Sequence, residues 1–161
     1  MAEITKLRKQ YLSEIGHGVD AALEPVDNYS GLTGVTTTAR YIGMEKIVLN
    51  NGSNRAYPMR FFLSGSTRNA GWKIKEIFPV PTHEALDNLV TFTVGLGLPI
   101  TKFTKGLEVT VVADEKNESK PTKYRITTVD TTANTANTVT WERCDSATIT
   151  VEGTDMESAG V

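Results

Sequence analysis

Few side chains in this sequence are of the types that catalysis or metal binding requires. The 161 residues include two histidines, His17 and His83, and a single cysteine, Cys144. These are too few for a zinc site by the usual ligand counts, unless carboxylates complete the set. His83 precedes Glu84, so the two could form half of an acid–base pair, but no nucleophile motif accompanies them. The sequence therefore predicts no catalytic, metal or cofactor site, and we expect a protein that is not an enzyme.

Aromatic and acidic residues offer two further binding chemistries. Trp72 and Trp141 could stack on sugar rings, which makes a glycan-binding β module for host attachment the alternative function. The other interpretation places both indoles in the core or at the closed ends of hairpins. Asp114 and Asp130 could contact a cation at loop tips, but no oxygen-ligand spacing supports such a site.

Charge and hydropathy narrow the partners that we expect. The formal net charge is −2, whereas a nucleic-acid-binding domain usually has a basic surplus or stripe. Nothing approaches a run of about 20 apolar residues, the length that spans a bilayer. Charges are spread through residues 1–15, where a secretion signal would have an apolar stretch. The sequence thus predicts no nucleic-acid or membrane partner, and synthesis in a reducing cytoplasm.

The first part of the chain is predicted to be a helical arm on a flexible connector. Residues 1–18 form the arm, and the helix within it spans 3–15. Residues 19–34 are rich in turn formers and form the linker. Four apolar side chains follow helical spacing and line one face of the arm: Ile4, Leu7, Tyr11 and Ile15. This face requires a covering surface, which is either the protein's own body or another subunit.

From residue 35 onward the pattern predicts β structure. The chain has 23 threonines, and this β-branched residue suits the solvent face of a strand. We expect a mainly β fold, either a β-sandwich or stacked β-hairpins, made of a first repeat at 35–80 and a second at 81–155. The two are expected to pack as one domain, with one helical turn at 81–88, a hairpin turn at "LNNGSN" and a frayed tail at 156–161. The predicted strands are 35–42, 45–50, 56–63, 72–79, 89–95, 107–113, 123–130, 137–143 and 147–152.

Two related stretches support the division into repeats. "GMEKIV" begins at Gly43 and "GLEVTV" begins at Gly106. Each is preceded by an aromatic residue and followed by a strand, a polar turn, a strand carrying a tyrosine, a Thr/Asn loop and a tryptophan. Lys46 interrupts the apolar alternation of the first copy, so it marks either a bulge or a residue facing a partner. The paired positions are Tyr41 and Phe103, Gly43 and Gly106, Met44 and Leu107, Tyr57 and Tyr124, and Trp72 and Trp141.

The first repeat resembles a short module of bacteriophage virion proteins, especially those of head fibres, tail fibres and other appendages. The stretches that carry the resemblance are "RYIGMEKIVL", "AYPMRFFLSGS" and "NAGW". It implies a non-enzymatic structural protein located in the virion, such as a head-fibre, auxiliary capsid or neck component, with other virion proteins as partners. It also favours a homo-oligomer with threefold symmetry, anchored through the N-terminal arm. The matching positions are Arg40, Tyr41, Gly43, Met44, Val48, Tyr57, Gly65, Thr67 and Trp72.

Overall fold

A computed structural model describes residues 24–131 and 139–144. Over these ranges the chain is mainly β, which confirms the predicted fold class. The described residues divide into two compact units, the first made of 24–77 with 95–98 and the second of 78–94, 99–131 and 139–144. The division at Ile77 and Phe78 lies close to the predicted repeat boundary. The predicted arm at 1–18, the strand at 147–152 and the tail at 156–161 lie outside the described residues.

The first unit contains a short helix and an antiparallel sheet. Its elements are α1 (Tyr29–Thr33), a 3₁₀ helix (Thr37–Ala39), β1 (Glu45–Val48), β2 (Asn51–Gly52), β3 (Arg55–Ala56), β4 (Met59–Leu63) and β5 (Trp72–Ile77). The sheet order is β1–β4–β5, and β2 with β3 forms the small hairpin predicted from "LNNGSN". Buried and partly exposed residues alternate along β1 and β4, as expected for strands with one face against a core. The Tyr29 ring of α1 lies 6.0 Å from the Phe61 ring of β4.

The second unit repeats this order with a longer helix. Its elements are β6 (Val80–Thr82), α2 (His83–Gly95), a 3₁₀ helix (Ile100–Lys102), β7 (Glu108–Asp114), a 3₁₀ helix (Glu115–Asn117), β8 (Lys120–Val129) and β9 (Val139–Arg143). The sheet order is β6–β7–β8–β9, with β6 parallel to β7 and the other pairs antiparallel. The first unit has a shorter version of the parallel pair, a single bridge between Val26 and Val48.

The hydrogen-bond registers of the two units agree residue by residue. Gly43 N–H donates to Leu63 C=O over 2.8 Å, and 63 positions later Gly106 N–H donates to Ile126 C=O over 2.9 Å. The same shift relates all four residue pairs between β1 and β4 to those between β7 and β8, from Glu45 with Phe62 to Glu108 with Arg125. Val48 and Val111 are also 63 positions apart, and each has a parallel partner in a segment that precedes the helix of its unit, Val26 and Val80 respectively. The related stretches therefore form one structural unit that is built twice.

The register corrects several positions that the sequence pattern had matched. Tyr41 corresponds to Thr104 and not to Phe103, whose counterpart is Arg40. Tyr124 corresponds to Phe61 of β4 and not to Tyr57. Shared residue types misled the comparison, because backbone pairing and not aromatic character sets the register. Trp72 and Trp141 do stand in equivalent places, opposite Leu63 and Ile126 respectively.

The predicted strand at 89–95 is wrong, because these residues belong to the 13-residue helix α2. Val90, Phe92 and Val94 alternate with threonines as in a strand, which is a pattern of period two. The buried residues of the helix include Leu86, Leu89, Val90 and Thr93, which follow the period of a helix instead. Burial of that face outweighs the preference of β-branched residues for strands. Of the helical turn predicted at 81–88, residues 81–82 belong to β6 and residues 83–88 are the beginning of α2.

Two other expectations before residue 45 also differ from the structure. The predicted strand at 35–42 is a 3₁₀ helix followed by a turn. The predicted linker at 19–34 contains α1, whose cap Asn28 accepts a hydrogen bond from Gly31 N–H at 3.2 Å. Asparagine is a strong N-cap residue, so the same residue type that suggested a loop starts a helix here.

Candidate functional site

A four-residue turn at Tyr41–Met44 presents two large apolar side chains to solvent. Met44 N–H donates to Tyr41 C=O over 3.0 Å, and Gly43 has a φ of +88°. A positive φ at the third position is typical of a type II turn and favours glycine. The exposed fraction is 45% for Tyr41 and 57% for Ile42, while Met44 is fully buried. Met44 therefore ties the turn to the core, and the two residues before the glycine face outward.

The second unit contains the same turn with different side chains. Leu107 N–H donates to Thr104 C=O over 3.2 Å, and Gly106 has a φ of +95°. The exposed positions hold Thr104 and Lys105, where the first unit has Tyr41 and Ile42. Two polar residues thus support the same backbone, so the turn itself does not require apolar side chains. The apolar pair of the first unit must be explained by something other than local folding.

Arg40 anchors the apolar turn from inside. Its side chain is buried, and its guanidinium donates to the carbonyl oxygens of Val35 at 2.9 Å, Thr67 at 3.0 Å and Thr33 at 2.8 Å. The guanidinium carbon also lies 5.9 Å from the centre of the Trp72 ring, within the range of a cation–π contact. Arg40 therefore joins the end of α1 and the loop at Thr67 to the core directly before the turn, which holds the turn in a fixed place.

Lys46 is neither in a bulge nor available to a partner. β1 pairs with β4 in an unbroken register at this residue, Lys46 opposite Phe61. The side chain is buried, and its Nζ donates to the carbonyl oxygen of Glu24 over 3.0 Å. Burial lowers the pKa of this ammonium, and the nearby Glu24 carboxylate acts in the opposite direction. Both interpretations of Lys46 from the sequence are therefore corrected: it holds the beginning of the described chain against β1.

The glutamate shared by both related stretches has one role in both units. Glu45 of β1 pairs with Arg60 of the neighbouring β4 at 3.4 Å and with Lys75 of β5, the next strand across the sheet. Glu108, its counterpart, pairs with Lys123 at 3.5 Å and with Arg125. Hydrogen bonds from Lys75 and Arg125 are the main reason why the pKa values of Glu45 and Glu108 are lowered. Each carboxylate therefore links basic side chains within its own sheet.

The two tryptophans differ in exposure although their registers agree. Trp72 has no exposed surface, and Trp141 is half-buried. Because a sugar must reach the face of an indole to stack on it, Trp72 is excluded as a glycan contact. Tyr57 is also buried, and its carbonyl oxygen accepts a hydrogen bond from the Asn50 side chain at 2.8 Å. Trp72 and Tyr57 are thus core residues of the first unit.

A buried polar cluster lies at the start of α2 in the second unit. Asp114 has no exposed surface; its Oδ1 lies 3.1 Å from His83 Nδ1, and its Oδ2 accepts a hydrogen bond from the Tyr124 hydroxyl at 2.7 Å. Glu115 accepts a hydrogen bond from the His83 backbone N–H at 2.6 Å. The His83 and Tyr124 rings meet edge to face, 5.2 Å apart. Tyr29 and Phe61 make the equivalent contact in the first unit, so the cluster is a polar version of a packing contact.

The electrostatics of Asp114 fit a structural role. Burial by itself raises the pKa of this carboxyl, but hydrogen bonds from Tyr124, the Lys116 backbone N–H and Thr122, together with the His83 charge, outweigh burial and lower it. Asp114 is therefore held as a carboxylate that ties the strand ends to the first turn of α2. The loop-tip position considered for Asp114 in the sequence does not apply, because its side chain is buried. Within residues 24–131 and 139–144, no group of three or more His, Cys, Asp and Glu could hold a metal ion.

The predicted site residues of the first related stretch lie in one unit, whereas those of the N-terminal arm lie outside the described residues. Arg40, Met44 and Trp72 are all buried, and the Arg40 guanidinium lies over the Trp72 ring. Ile42 was not singled out by sequence pattern, yet it is the most exposed large apolar residue in the described part of the chain. Comparing the two turns in correct register reveals it, since Ile42 stands where the second unit has Lys105. The four predicted interface residues of the arm lie outside the described residues: Ile4, Leu7, Tyr11 and Ile15.

Comparison of the chain with protein-family models, with curated proteins and with solved structures found no match. In the described part of the chain, no helix has the length and apolar character needed to cross a membrane.

Proposed function

We propose that this chain is a non-enzymatic structural protein of a bacteriophage particle, such as a head-fibre, auxiliary capsid or neck component. It joins other virion proteins through the Tyr41–Ile42 turn and its N-terminal arm. The observation that carries the proposal is the turn that is built twice and displays an exposed apolar pair only in the first unit. That pair lies within the stretch that resembles virion appendage modules.

The physical support comes from how the turn is held. Arg40 and Met44 fix the turn on either side, so its backbone is in place before any partner arrives. Preorganisation reduces the entropy that association costs. Aromatic residues are enriched at protein interfaces, and Tyr41 combines apolar area with a hydroxyl that can form a hydrogen bond. A small protein that is present in many copies on a particle can use such a contact repeatedly.

Giving the first turn the side chains of the second turn tests the proposal directly. In the double variant Tyr41→Thr with Ile42→Lys, the first unit receives the residues that the second unit has at these positions. We expect the thermal unfolding midpoint to stay unchanged, because Thr104 and Lys105 occupy the same backbone, while incorporation into particles is lost. The measurement is the amount of protein that co-sediments with phage particles on a density gradient, quantified by mass spectrometry.

The matched control changes the other turn. Lys105→Gln leaves the apolar pair intact and should incorporate like the wild type. Absence of the wild-type protein from purified particles would contradict the proposed function itself. Normal incorporation of the double variant would contradict the role of the turn.

The glycan-binding alternative now depends on Trp141, and sugar binding that is abolished by Trp141→Ala would favour it.

We also propose a homo-oligomer, with a trimer favoured by the resemblance to appendage modules. Among the strands that the structure describes, β5 and β9 stand at the ends of their sheets. A terminal strand presents backbone groups with which another chain can pair, and a cyclic interface covers them. We expect light scattering at micromolar concentration to give three times the chain mass of 17.6 kDa. A mass of one chain at all concentrations would rule out a stable free oligomer.

A further inference from the structure

The exposed pair at the first turn raises the question of what covers it before assembly. Tyr41 and Ile42 are adjacent, and each exposes about half of its surface. Two adjacent large apolar side chains in solvent leave an apolar surface whose burial by another segment is favourable. The turn in the second unit avoids the problem with Thr104 and Lys105. The apolar side chains of the first turn are therefore not needed for its backbone conformation, since polar side chains support the same conformation in the second unit.

The described chain begins beside β1, the strand that follows this turn. Lys46 Nζ holds the Glu24 carbonyl oxygen at 3.0 Å. Val26 N–H donates to Ile47 C=O and Leu49 N–H donates to Val26 C=O, both over 2.9 Å, which makes the segment parallel to β1. Because parallel strands run in the same direction, the chain enters the unit from the end at which β1 starts. That end is the one that follows the Tyr41–Met44 turn.

The segment outside the described residues is long enough to reach the turn. Residues 16–23 can span roughly 28 Å when extended, at about 3.5 Å per residue. Lys46 and Ile42 are only four positions apart in sequence, so the turn lies within that reach. The predicted helix before this connector has one apolar face, made of Ile4, Leu7, Tyr11 and Ile15. A tethered segment meets its own body at an effective concentration in about the millimolar range.

We propose that in the free protein the N-terminal segment of the same chain, residues 1–18, covers the Tyr41–Ile42 turn with its apolar face. The arm protects the turn until the protein meets its particle, where arm and turn separate and both become available for assembly. That consequence rests on the proposed function, but the contact itself does not. It can be measured on the purified full-length protein without any particle.

Photo-crosslinking from the turn tests the contact. The photoreactive residue p-benzoylphenylalanine replaces Ile42 in the full-length protein, and irradiation is followed by peptide mapping. We expect crosslinks to residues 1–18 within one chain, in a fraction that does not change between about 1 and 100 µM protein, because the effective concentration of a tethered segment exceeds both values. The same probe at Lys105 is the matched control and should give at least about tenfold less of this product, since that turn has no apolar pair to bind the arm.

Changes in the arm provide a second, independent measurement. Leu7→Asp places a charge on the apolar face and should reduce the crosslink from position 42 at least about fivefold, because burying a charge is unfavourable. Gln10→Asp adds the same charge outside that face and should leave the yield unchanged. Crosslinks to a second copy, crosslinks only to other parts of the chain, or no crosslink at all would each overturn the proposal. Loss of particle binding with the crosslink intact would overturn only the proposed function.

Discussion

Replacing Trp72 by alanine is expected to lower the free energy of unfolding by about 3–5 kcal/mol, the usual cost of removing a buried aromatic side chain from a core. The indole has no exposed surface, and it stands opposite Leu63 at the closed end of the β4–β5 pair. The substitution also removes the ring beneath the Arg40 guanidinium. The loss should therefore weaken both the core and the support of the exposed turn. Urea unfolding followed by circular dichroism measures the effect.

Trp141 provides the matched comparison, because it occupies the equivalent register opposite Ile126. Its side chain is partly exposed, so Trp141→Ala should cost less, about 2–3 kcal/mol, because less area is removed from water. The full loss of unfolding free energy expected for a buried tryptophan is thus predicted for Trp72→Ala and not for Trp141→Ala. Equal losses for the two variants would show that the difference in burial does not control stability.

Replacing Asp114 by alanine is expected to destabilise the protein by about 3–5 kcal/mol, as for a buried pair that loses one partner. His83 Nδ1 and the Tyr124 hydroxyl lose the carboxylate that lies within 3.1 Å and 2.7 Å of them. The Lys116 backbone N–H loses its acceptor as well. Asp87 is a useful control, because it lies 3.4 Å from His83 Nε2 but is exposed. Asp87→Ala should therefore cost less than about 1 kcal/mol.

The Asp114 contribution should depend on pH with a defined sign. The pKa of the carboxyl is lowered in the folded protein, so folding favours the ionised form. The stabilisation is present above the unfolded-state pKa, near 4, and is lost as the pH falls through the lower folded-state value. The stability difference between the wild type and Asp114→Asn should thus stay constant above about pH 5 and shrink in more acidic solution. A difference that grew as the solution became more acidic would contradict this assignment.

The sequence alone determined the fold class and the existence of a repeat. Alternating apolar residues and abundant threonine predicted strands, because a half-buried strand has a period of two. The glycines at 43 and 106 marked equivalent turns, since both adopt a positive φ that other residues avoid. The glutamates that follow them were part of the repeated pattern, and they form ion pairs in both units. These features are local, so they can be read from neighbouring residues.

Other features were decided only by the tertiary structure. Residues 89–95 have a strand-like pattern but form a helix, because a buried face at helical spacing outweighs local preference. Tyr124 was matched with Tyr57 by residue type, whereas pairing between distant strands places it with Phe61. The burial of Lys46 and the contact of Asp114 with His83 depend on residues more than 20 positions away. No local pattern encodes such pairings, because register and burial are fixed only when separate segments of the chain pack together.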